Sequence, residues 1–240
     1  MAQTGRAHGG DGVMATERTV LRVKLALPFL VADLGRVRRV LSFAPHHPGF
    51  SSARHIVFRQ VRDADLTPDL DAPRWLAAEM ARIGHGGDVG MMTSRALTHH
   101  QLACAGPVAC LTTVGLGNAE RVGRRRGVPP QGYGTINIAL LIEDGLTDAA
   151  MIEALSIVAE ARTAAILTAG IELPTGRATG TGTDCIAVAC DAGQTAFAGL
   201  HTPLGEAIGA AVHDAVLAGA LAWIADHGTR LPEHPDAVTA

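Results

Sequence analysis

The feature that most constrains this chain is a run of small and hydroxyl residues within positions 175–209. Residues 178–183 contain only Ala, Gly and Thr, a composition that core packing does not require. An apolar segment follows at 185–190, then a second short segment at 195–199 and the start of a long helix that carries Glu206. Because such a run leaves backbone N–H groups free and lets a ligand approach closely, we interpret this stretch as the edge of a site.

The chain has 240 residues, which is long enough for one large domain with a full core. Hydrophobic residues make up 48% of it and aromatic residues only 3%, so the interior must be built from closely packed small side chains. We predict a single domain over residues 16–228. A disordered tail is expected at 1–15 and a frayed end at 229–240.

Charge and cysteine usage exclude several classes of function. The net charge is −3, so bulk charge gives no sign of a nucleic-acid partner, and a single lysine, Lys24, leaves a Schiff-base mechanism without support. Four cysteines without a Cys-x-x-Cys pair are typical of buried thiols in a reducing cytoplasm. The N-terminus has no signal-peptide core, and no run approaches the ~20 apolar residues of a membrane helix. The sequence therefore predicts a cytoplasmic protein without a membrane partner, and it is compatible with a homo-oligomer.

Hydrophobic periodicity predicts an α/β (α+β) fold, in which a mixed or largely antiparallel sheet is covered by long helices rich in Ala and Gly. The first 60 residues indicate a meander of short strands at 19–31, 36–44 and 53–61, with a break near Pro28. Further strands and helices are indicated by apolar runs and by caps. The expected strands are 89–93, 106–115, 135–142 and 185–190, and the expected helices are 73–84, 148–169 and 203–226.

A short internal echo links two parts of the chain. Gly134-Thr135-x-x-Ile-Ala recurs as Gly182-Thr183-x-x-Ile-Ala, and each copy precedes a long helix capped by threonine. Two related strand–helix units would place the two Gly-Thr turns at comparable positions. For so short a match, chance is the alternative.

Four residues are candidates for acid–base chemistry. His201 precedes a helix, and an imidazole can transfer protons near neutral pH, although a surface histidine bonded to its own turn is an equal explanation. Glu206 lies in the first helical turn, where the helix dipole favours a carboxylate in any case. Glu160 lies in an apolar neighbourhood and suits a general base, unless it pairs with Arg162 or faces solvent. Asp184 closes the Gly/Thr run.

Amides, hydroxyls and turn residues form the second group of candidates. Asn118 and Asn137 stand at strand ends, where their amides hold a substrate carbonyl or amide or merely stabilise turns. The other candidates for substrate binding come from the two Gly-Thr turns and the start of the last helix. They are Thr135, Gly180, Thr181, Gly182, Thr183 and Thr202.

The eleven histidines raise the question of a metal site. Neither His-Glu-x-x-His nor His-x-His is present, and the adjacent pairs at 46–47 and 99–100 would point their side chains apart on a strand. The spacing therefore predicts no metal site.

Several of these motifs together resemble the adenosylcobinamide amidohydrolase family of corrinoid salvage. The resemblance covers residues 88–217 most closely, and its last two motifs in that order, joined by a short apolar hairpin of the segments 185–190 and 195–199, are the most specific. The motifs are Thr113-Val-Gly-Leu-Gly-Asn-Ala119, Gly134-Thr-Ile-Asn-Ile138, Glu160-Ala-Arg-Thr-Ala164, Ala178-Thr-Gly-Thr-Gly-Thr-Asp184 and Ala198-Gly-Leu-His-Thr-Pro-Leu-Gly-Glu206.

The resemblance implies hydrolysis of the amide between the corrin-ring propionyl side chain and aminopropanol. The products would be adenosylcobyric acid and 1-amino-2-propanol, in cytoplasmic salvage of corrinoids. No cofactor is expected, since the substrate itself carries cobalt, and the partner would be that small molecule. A corrinoid-binding module without hydrolysis is the alternative.

Amide hydrolysis needs an activated nucleophile, donors for the developing oxyanion and an acid for the leaving amine. Under the resemblance, Glu206 or Glu160 would activate water and His201 would protonate the amine. The backbone N–H groups of 180–184 would stabilise the oxyanion.

Two rival routes remain open at this stage. A covalent route would use Thr183 or Cys185 as the nucleophile. A self-cleaving enzyme would mature by backbone cleavage before Thr135 or Thr183.

Overall fold

The computed structural model describes residues 21–62, 65, 69–126 and 134–229. The tail expected at 1–15 lies outside these ranges, as does the C-terminal end beyond residue 229. The bounds of the main elements follow from the backbone hydrogen bonds. The strands are β1 (Arg22–Ala26), β2 (Phe29–Ser42), β3 (Gly49–Gln60), β4 (Val89–Thr93), β5 (Gln101–Ala105), β6 (Val108–Val114), β7 (Ala119–Glu120), β8 (Ile136–Ile142), β9 (Glu172–Leu173), β10 (Gly176–Arg177), β11 (Gly180–Thr181) and β12 (Cys185–Cys190), and the helices are α1 (Ala72–Arg82), α2 (Asp148–Ala169) and α3 (Pro203–His227).

Most strands join one mixed sheet. Its order is β4-β3-β2-β12-β8-β6-β5, with β1 paired to β2. The pairs β12–β8 and β3–β4 are parallel, and the other neighbours in this sheet are antiparallel. The parallel pair β8–β12 lies at the centre, and its two strands are buried along their whole lengths. Their continuous apolar sequences are typical of strands covered on both faces.

Two long helices cover one face of this sheet. Thr147 caps α2 by accepting a hydrogen bond from the Ala150 N–H, and Gly170 ends it with φ 76°, a conformation that glycine adopts at little cost. The buried residues of α2 and α3 join those of β6, β8 and β12 in the larger core cluster. Small side chains, Ala154, Ala161 and Ala211 among them, allow the helices to pack closely.

The opposite face of the sheet is closed by the N-terminal strands. Alternate residues of β6, β8 and β12 pack against apolar residues of β2, β3 and β4 in a second core cluster. The Asn137 side chain on β8 donates to the backbone carbonyl of Met92 on β4, at 2.7 Å. Since these strands are far apart in the sheet order, the sheet must curl strongly enough to bring β4 back over β8.

Helix α3 has the length and composition of a membrane-spanning segment, with a mean hydropathy of 1.6 in its most apolar window. The sequence analysis expected no such segment, so that expectation is corrected. One side of α3, including Ile208, Val212 and Trp223, is buried in the core that it shares with α2 and the sheet. Helix α3 therefore packs as a core helix of the α/β domain along this side.

The structure confirms the predicted fold class, and β8 and β12 bear out the internal echo. Ile138 pairs with Ile186 and Ala139 with Ala187, in the register that the echo implies, and each strand is followed by a long helix capped by threonine. The segment 195–199 is not a strand, because β12 pairs instead with β8 and β2. The sequence analysis also missed β5, which forms a hairpin with β6, and divided β2 in two.

Candidate functional site

Polar residues gather where the two central parallel strands begin. Because β8 and β12 start side by side, the segments before them, 134–135 and 180–184, are brought together. The turn after β6 joins them, since β7 pairs with β11 in antiparallel orientation. We call this group the polar notch, and it includes five predicted substrate-binding residues and one predicted catalytic residue. Its members are Asn118, Thr135, Asn137, Thr181, Thr183 and Asp184.

The Thr183 hydroxyl lies at the centre of the polar notch. It donates to the Gly134 carbonyl at 2.9 Å and accepts from the Asn118 Nδ2 at 3.2 Å. The Thr135 hydroxyl donates to the Thr183 carbonyl at 2.6 Å. Thr183 and Gly182 are exposed, whereas Asn118 is only 7% exposed. An incoming ligand would therefore meet the hydroxyl first, with the amide behind it.

The Asp184 carboxylate holds the 180–184 turn in place by accepting several hydrogen bonds. Its Oδ1 accepts from the Ile136 N–H at 3.0 Å and from the Thr181 hydroxyl, and its Oδ2 accepts from the Thr181 N–H at 3.1 Å. Arg162 of α2 forms an ion pair with the same carboxylate, whose side chain is 8% exposed. Burial lowers the pKa of Arg162 from its ordinary value. With this many donors, the carboxylate holds the turn to β8 and to α2.

Two glycines make this close approach of backbone segments possible. A Cβ on Gly134 would lie 2.6 Å from the Gly117 nitrogen and 2.8 Å from the Gly115 carbonyl oxygen. A Cβ on Gly180 would lie 2.5 Å from the Arg162 guanidinium. A larger residue at Gly134 would push its turn away from the 115–117 backbone, and one at Gly180 would displace the paired side chains of Arg162 and Asp184.

One member of the polar notch, Asn137, also lies in a row with Thr113 and Cys185 across three neighbouring strands. Thr113 pairs in register with Asn137, and Asn137 with Cys185. The Cys185 thiol contacts the Thr183 carbonyl at 3.7 Å. Burial raises the pKa of Cys185 to about 11, which leaves almost no thiolate at neutral pH and disfavours it as a nucleophile.

Several buried polar atoms around the polar notch have no partner in the part of the chain that the structure describes. They are the Asn118 Oδ1, the Thr113 hydroxyl and the Arg162 Nε. An unpaired buried polar atom costs about 1–3 kcal/mol, so such atoms are few in folded proteins and often mark where a ligand or ordered water binds. The Asn118 Oδ1 is an acceptor, and it suits an N–H donor.

The exposed turn also supplies donors. The Gly182 N–H bonds to the Asn118 carbonyl and the Thr183 N–H to the Thr181 hydroxyl, both at 3.4 Å. These bonds are long for N–H···O contacts, and a developing negative charge would compete well for both donors. The polar notch can therefore bind an amide at both its oxygen and its nitrogen.

The structure does not bring the other three predicted catalytic residues into the polar notch. His201 and Glu206 are exposed at the start of α3, which packs beside the β5–β6 turn, where Ala207 lies near Gly106. That turn adjoins the end of β8, since Val108 pairs with Ile142. His201 and Glu206 thus lie at the opposite edge of the central strands.

The two edges are separated by the length of β8 and β12, which have seven and six residues, or roughly 20 Å. The sequence analysis treated residues 180–206 as one cluster because they are near in sequence. That clustering is wrong, since β12 carries the chain from one edge of the sheet to the other. Glu160 is exposed on α2, while Arg162, two residues on, reaches Asp184.

Thr202 lies with His201 and acts as a helix cap. Its hydroxyl accepts from the Gly205 N–H at 2.9 Å and donates to the Gly199 carbonyl at 2.8 Å. The hydroxyl therefore uses both its donor and its acceptor capacity at the start of α3. Thr202 shares no edge with the polar notch, so its predicted substrate contact is separated from the other substrate-binding residues.

Sequence reasoning also missed a cluster at another place in the sheet. His55, His85 and Asp88 offer ligand atoms that all lie within 4.8 Å of one another. Their spacing along the chain matches no common metal motif, and only the parallel pairing of β3 with β4 brings them together.

An α/β domain with an exposed turn of backbone donors, hydroxyls and side-chain amides defines a site for an amide-bearing ligand. The family model described as adenosylcobinamide amidohydrolase matches residues 14–228. The chain therefore belongs to the adenosylcobinamide amidohydrolase family, which is a family of amide hydrolases.

Two relatives match part of the chain. A protein of Halobacterium salinarum named adenosylcobinamide amidohydrolase is 35% identical over 140 residues, which cover 53% of this chain and 56% of that protein. An uncharacterized protein of Methanocaldococcus jannaschii is 40% identical over 94 residues, which cover 38% of this chain and 37% of that protein. The chain thus spans less than two thirds of the length of either relative.

Proposed function

We propose that this protein hydrolyses the amide that joins aminopropanol to the corrin-ring side chain of adenosylcobinamide. The products are adenosylcobyric acid and 1-amino-2-propanol, and the reaction serves cytoplasmic salvage of corrinoids. Membership of the family over residues 14–228 supports this activity. The observation that carries the location is the exposed Gly182–Thr183 turn over the buried, unpartnered Asn118 Oδ1.

In this proposal the scissile amide lies across the polar notch. Its carbonyl oxygen takes the Gly182 and Thr183 N–H groups, whose present bonds are 3.4 Å long. Its N–H donates to the Asn118 Oδ1. Donors placed where negative charge develops are usually the largest single contribution to such a reaction.

The Thr183 hydroxyl then has one of two tasks. It either positions a water for attack or attacks the carbonyl carbon itself. In the second case the proton that it now donates to the Gly134 carbonyl passes through solvent water to the leaving aminopropanol nitrogen as the C–N bond breaks, and a second water then hydrolyses the acyl-threonine ester. Position favours Thr183 over Cys185, because the thiol is buried and its pKa is raised to about 11. An acyl-enzyme trapped on the peptide that contains Thr183 and detected by mass spectrometry would select the covalent task.

The remaining steps need a proton acceptor and a proton donor. Glu206 and His201, which the sequence predicted for these tasks, would have to act from the edge roughly 20 Å away. We therefore propose that neither contacts the amide in the polar notch. Asp184 already accepts several hydrogen bonds, and we propose that it positions the turn.

The product assay tests the proposed function directly. The full chain is incubated with adenosylcobinamide, and adenosylcobyric acid and aminopropanol are followed by chromatography and mass spectrometry. We expect both products in equal amounts, and an inactive Asn118→Ala/Thr183→Ala double variant serves as the control. Tight binding of the corrinoid without either product would favour the alternative, a corrinoid-binding module. A mass below that of the intact 24.8 kDa chain, cut before Thr135 or Thr183, would instead favour the self-cleaving route.

A further inference from the structure

His55, His85 and Asp88 come together from three parts of the chain. His55 lies in β3, His85 follows α1, and Asp88 directly precedes β4. Because β3 and β4 are parallel and Ile56 pairs with Val89, the residues just before this pair, His55 and Asp88, stand side by side. The turn that follows α1 then places the His85 ring against them. We call these three residues the His–Asp cluster.

In both imidazole rings the Nδ1 atom faces one and the same carboxylate oxygen of Asp88. The Nδ1 atoms of His55 and His85 lie 2.9 and 2.8 Å from the Asp88 Oδ2. The two rings meet edge to face, with centroids 4.7 Å apart. The three side chains are about one-fifth exposed or less, which is enough for an ion to enter from solvent.

The carboxylate is held in place before any ion arrives. Its other oxygen, Oδ1, accepts from the backbone N–H groups of Arg54 and His55, at 3.0 and 2.8 Å. Asp88 is thus an oriented anion that directs one oxygen at two imidazole nitrogens.

A further carboxylate lies behind the cluster. The Asp33 Oδ1 is 3.8 Å from the Nε2 of His55, and Asp33 is fixed by Arg54 at 3.2 and 3.3 Å. A histidine that binds a metal through one nitrogen usually donates its other N–H to a carboxylate or carbonyl. His55 meets that condition after a small side-chain adjustment.

The cluster also has an open side. His55 and His85 line a cleft of about 570 Å³, which Arg22, Lys24 and Arg82 also line. Three protein ligands, of which the two histidines line the cleft, leave a coordination position for water, as in open zinc sites. The cations of the cleft would favour an anion at that position.

We propose that His55, His85 and Asp88 bind one divalent metal ion of the zinc class. Two imidazole nitrogens and one carboxylate oxygen suit Zn²⁺, whereas Mg²⁺ and Ca²⁺ prefer ligand sets made of oxygen. A tetrahedral site with bonds of about 2.0–2.2 Å separates its ligands by about 3.4 Å. Each Nδ1–Oδ2 distance, 2.9 and 2.8 Å here, therefore needs to open by roughly 0.5 Å to admit the ion. The ion takes the place of the protons on the two Nδ1 atoms. Each neutral ring then carries its single proton on Nε2, and a ring that was protonated on both nitrogens releases its Nδ1 proton to solvent.

The test uses the full-length protein after removal of metals with a chelator. Co²⁺ is titrated as a visible probe for Zn²⁺, bound metal is counted by equilibrium dialysis with elemental analysis, and Zn²⁺ is then added in competition. We expect one ion per chain, the absorption of a four-coordinate Co²⁺ complex, and its loss when Zn²⁺ is added. Stoichiometric binding should also raise the melting temperature.

Variants locate the ion. Loss of an outer-shell partner typically lowers metal affinity 10–100-fold, so loss of a ligand in His85→Ala should lower it by at least about 100-fold. His213→Ala is the matched control, because His213 faces Asp214 at 3.5 Å and belongs to no three-ligand group within the described ranges. This variant should bind like the unaltered chain. Circular dichroism establishes that each variant is folded.

Asp33→Asn keeps all three ligands and so decides the matter if His85→Ala does not fold. We expect it to lower the affinity for Co²⁺ by about 10–100-fold. The proposal is overturned if the unaltered chain binds no Co²⁺ or Zn²⁺ at equimolar micromolar concentrations. It is equally overturned if folded His85→Ala or Asp33→Asn binds the ion as tightly as the unaltered chain. The cluster would then be only a hydrogen-bonded link between β3 and β4.

Discussion

The two edges of the central strands β8 and β12 differ in what their polar groups do. At the edge where these strands begin, buried acceptors lack partners and exposed N–H groups make long bonds. At the other edge, the exposed turns are closed by bonds between neighbours. The buried Arg38 Nη2 and Glu143 Oε1 lack a hydrogen-bond partner among the described residues, but the Arg38 Nη2 lies 3.6 Å from the Glu143 Oε2 in an ion pair. Thr202 caps α3, and Glu153 accepts from the Ala198 N–H at 2.6 Å. Arg38 and Arg36 both pair with Asp191.

This difference teaches that richness in polar residues alone does not mark a site. Both edges carry carboxylates, hydroxyls and turns, but one edge uses them to close the fold and the other leaves capacity for a ligand. Variants at the first edge should therefore lower turnover, and variants at the second edge should lower only stability.

The largest effect on stability is expected from Asp184→Asn at the first edge. The change leaves the Arg162 guanidinium, 17% exposed, without its anion, and breaking a buried ion pair costs about 3–5 kcal/mol. Urea unfolding followed by circular dichroism measures the loss in free energy of unfolding. Glu172→Gln, in an exposed pair with Arg177, is the control and should cost less than about 1 kcal/mol. Equal losses for the two variants would contradict the proposed positioning role of Asp184.

Asn118→Ala should lower turnover strongly while the variant still folds normally. It removes both the acceptor proposed for the amide N–H and the donor to the Thr183 hydroxyl. Loss of one well-placed catalytic hydrogen bond typically lowers turnover about 100–1,000-fold, and we expect the lower end of that range. Steady-state kinetics with adenosylcobinamide give the value. A loss of less than threefold would place the amide elsewhere.

Thr202→Ala should separate stability from activity at the second edge. Loss of a threonine N-cap costs about 0.5–2 kcal/mol, because the Gly205 N–H loses its acceptor. Thermal unfolding should show this loss, while the turnover of the folded enzyme stays unchanged. A large fall in turnover at a temperature where the variant is fully folded would restore Thr202 as a substrate-binding residue.

Cys185→Ala should have the smallest effect on turnover of these variants. A thiol with a pKa of about 11 is thiolate in roughly one part in 10⁴ at pH 7, so it contributes little as a nucleophile. Turnover should stay within about twofold, and iodoacetamide at pH 7 should not inactivate the enzyme. Rapid inactivation by the reagent, with protection by substrate, would revive the covalent route through Cys185.

Much of the fold could be predicted from the sequence because its signals are local. The Thr147 cap, the Gly170 stop and the apolar run of β12 gave the bounds of α2 and β12 correctly. The echo of Gly134-Thr135 in Gly182-Thr183 gave the register of β8 with β12. The segment 195–199 was misjudged because pairing with a distant partner decides whether a short apolar run becomes a strand.

The site was harder to predict because it depends on whether each residue lies before the beginning or after the end of a strand. Asn118, Thr135 and Asp184 were found from their residue types and turns, and the parallel pairing brings them together. His201 was grouped with them because it is near in sequence. However, β12 runs from one edge of the sheet to the other and so separates His201 from them. Arg162 was missed as a site residue because only the packing of α2 aims it at Asp184.

The most direct test of the central claim compares Thr183→Ala with Glu206→Gln in one assay. The claim is that the amide is cleaved at the edge where β8 and β12 begin, beside the Thr183 hydroxyl and away from the start of α3. The kcat/KM for adenosylcobinamide should fall by about 100-fold or more in Thr183→Ala and stay within about twofold in Glu206→Gln. The reverse pattern, with Thr183→Ala active and Glu206→Gln inactive, would contradict the account and move the reaction to the opposite edge.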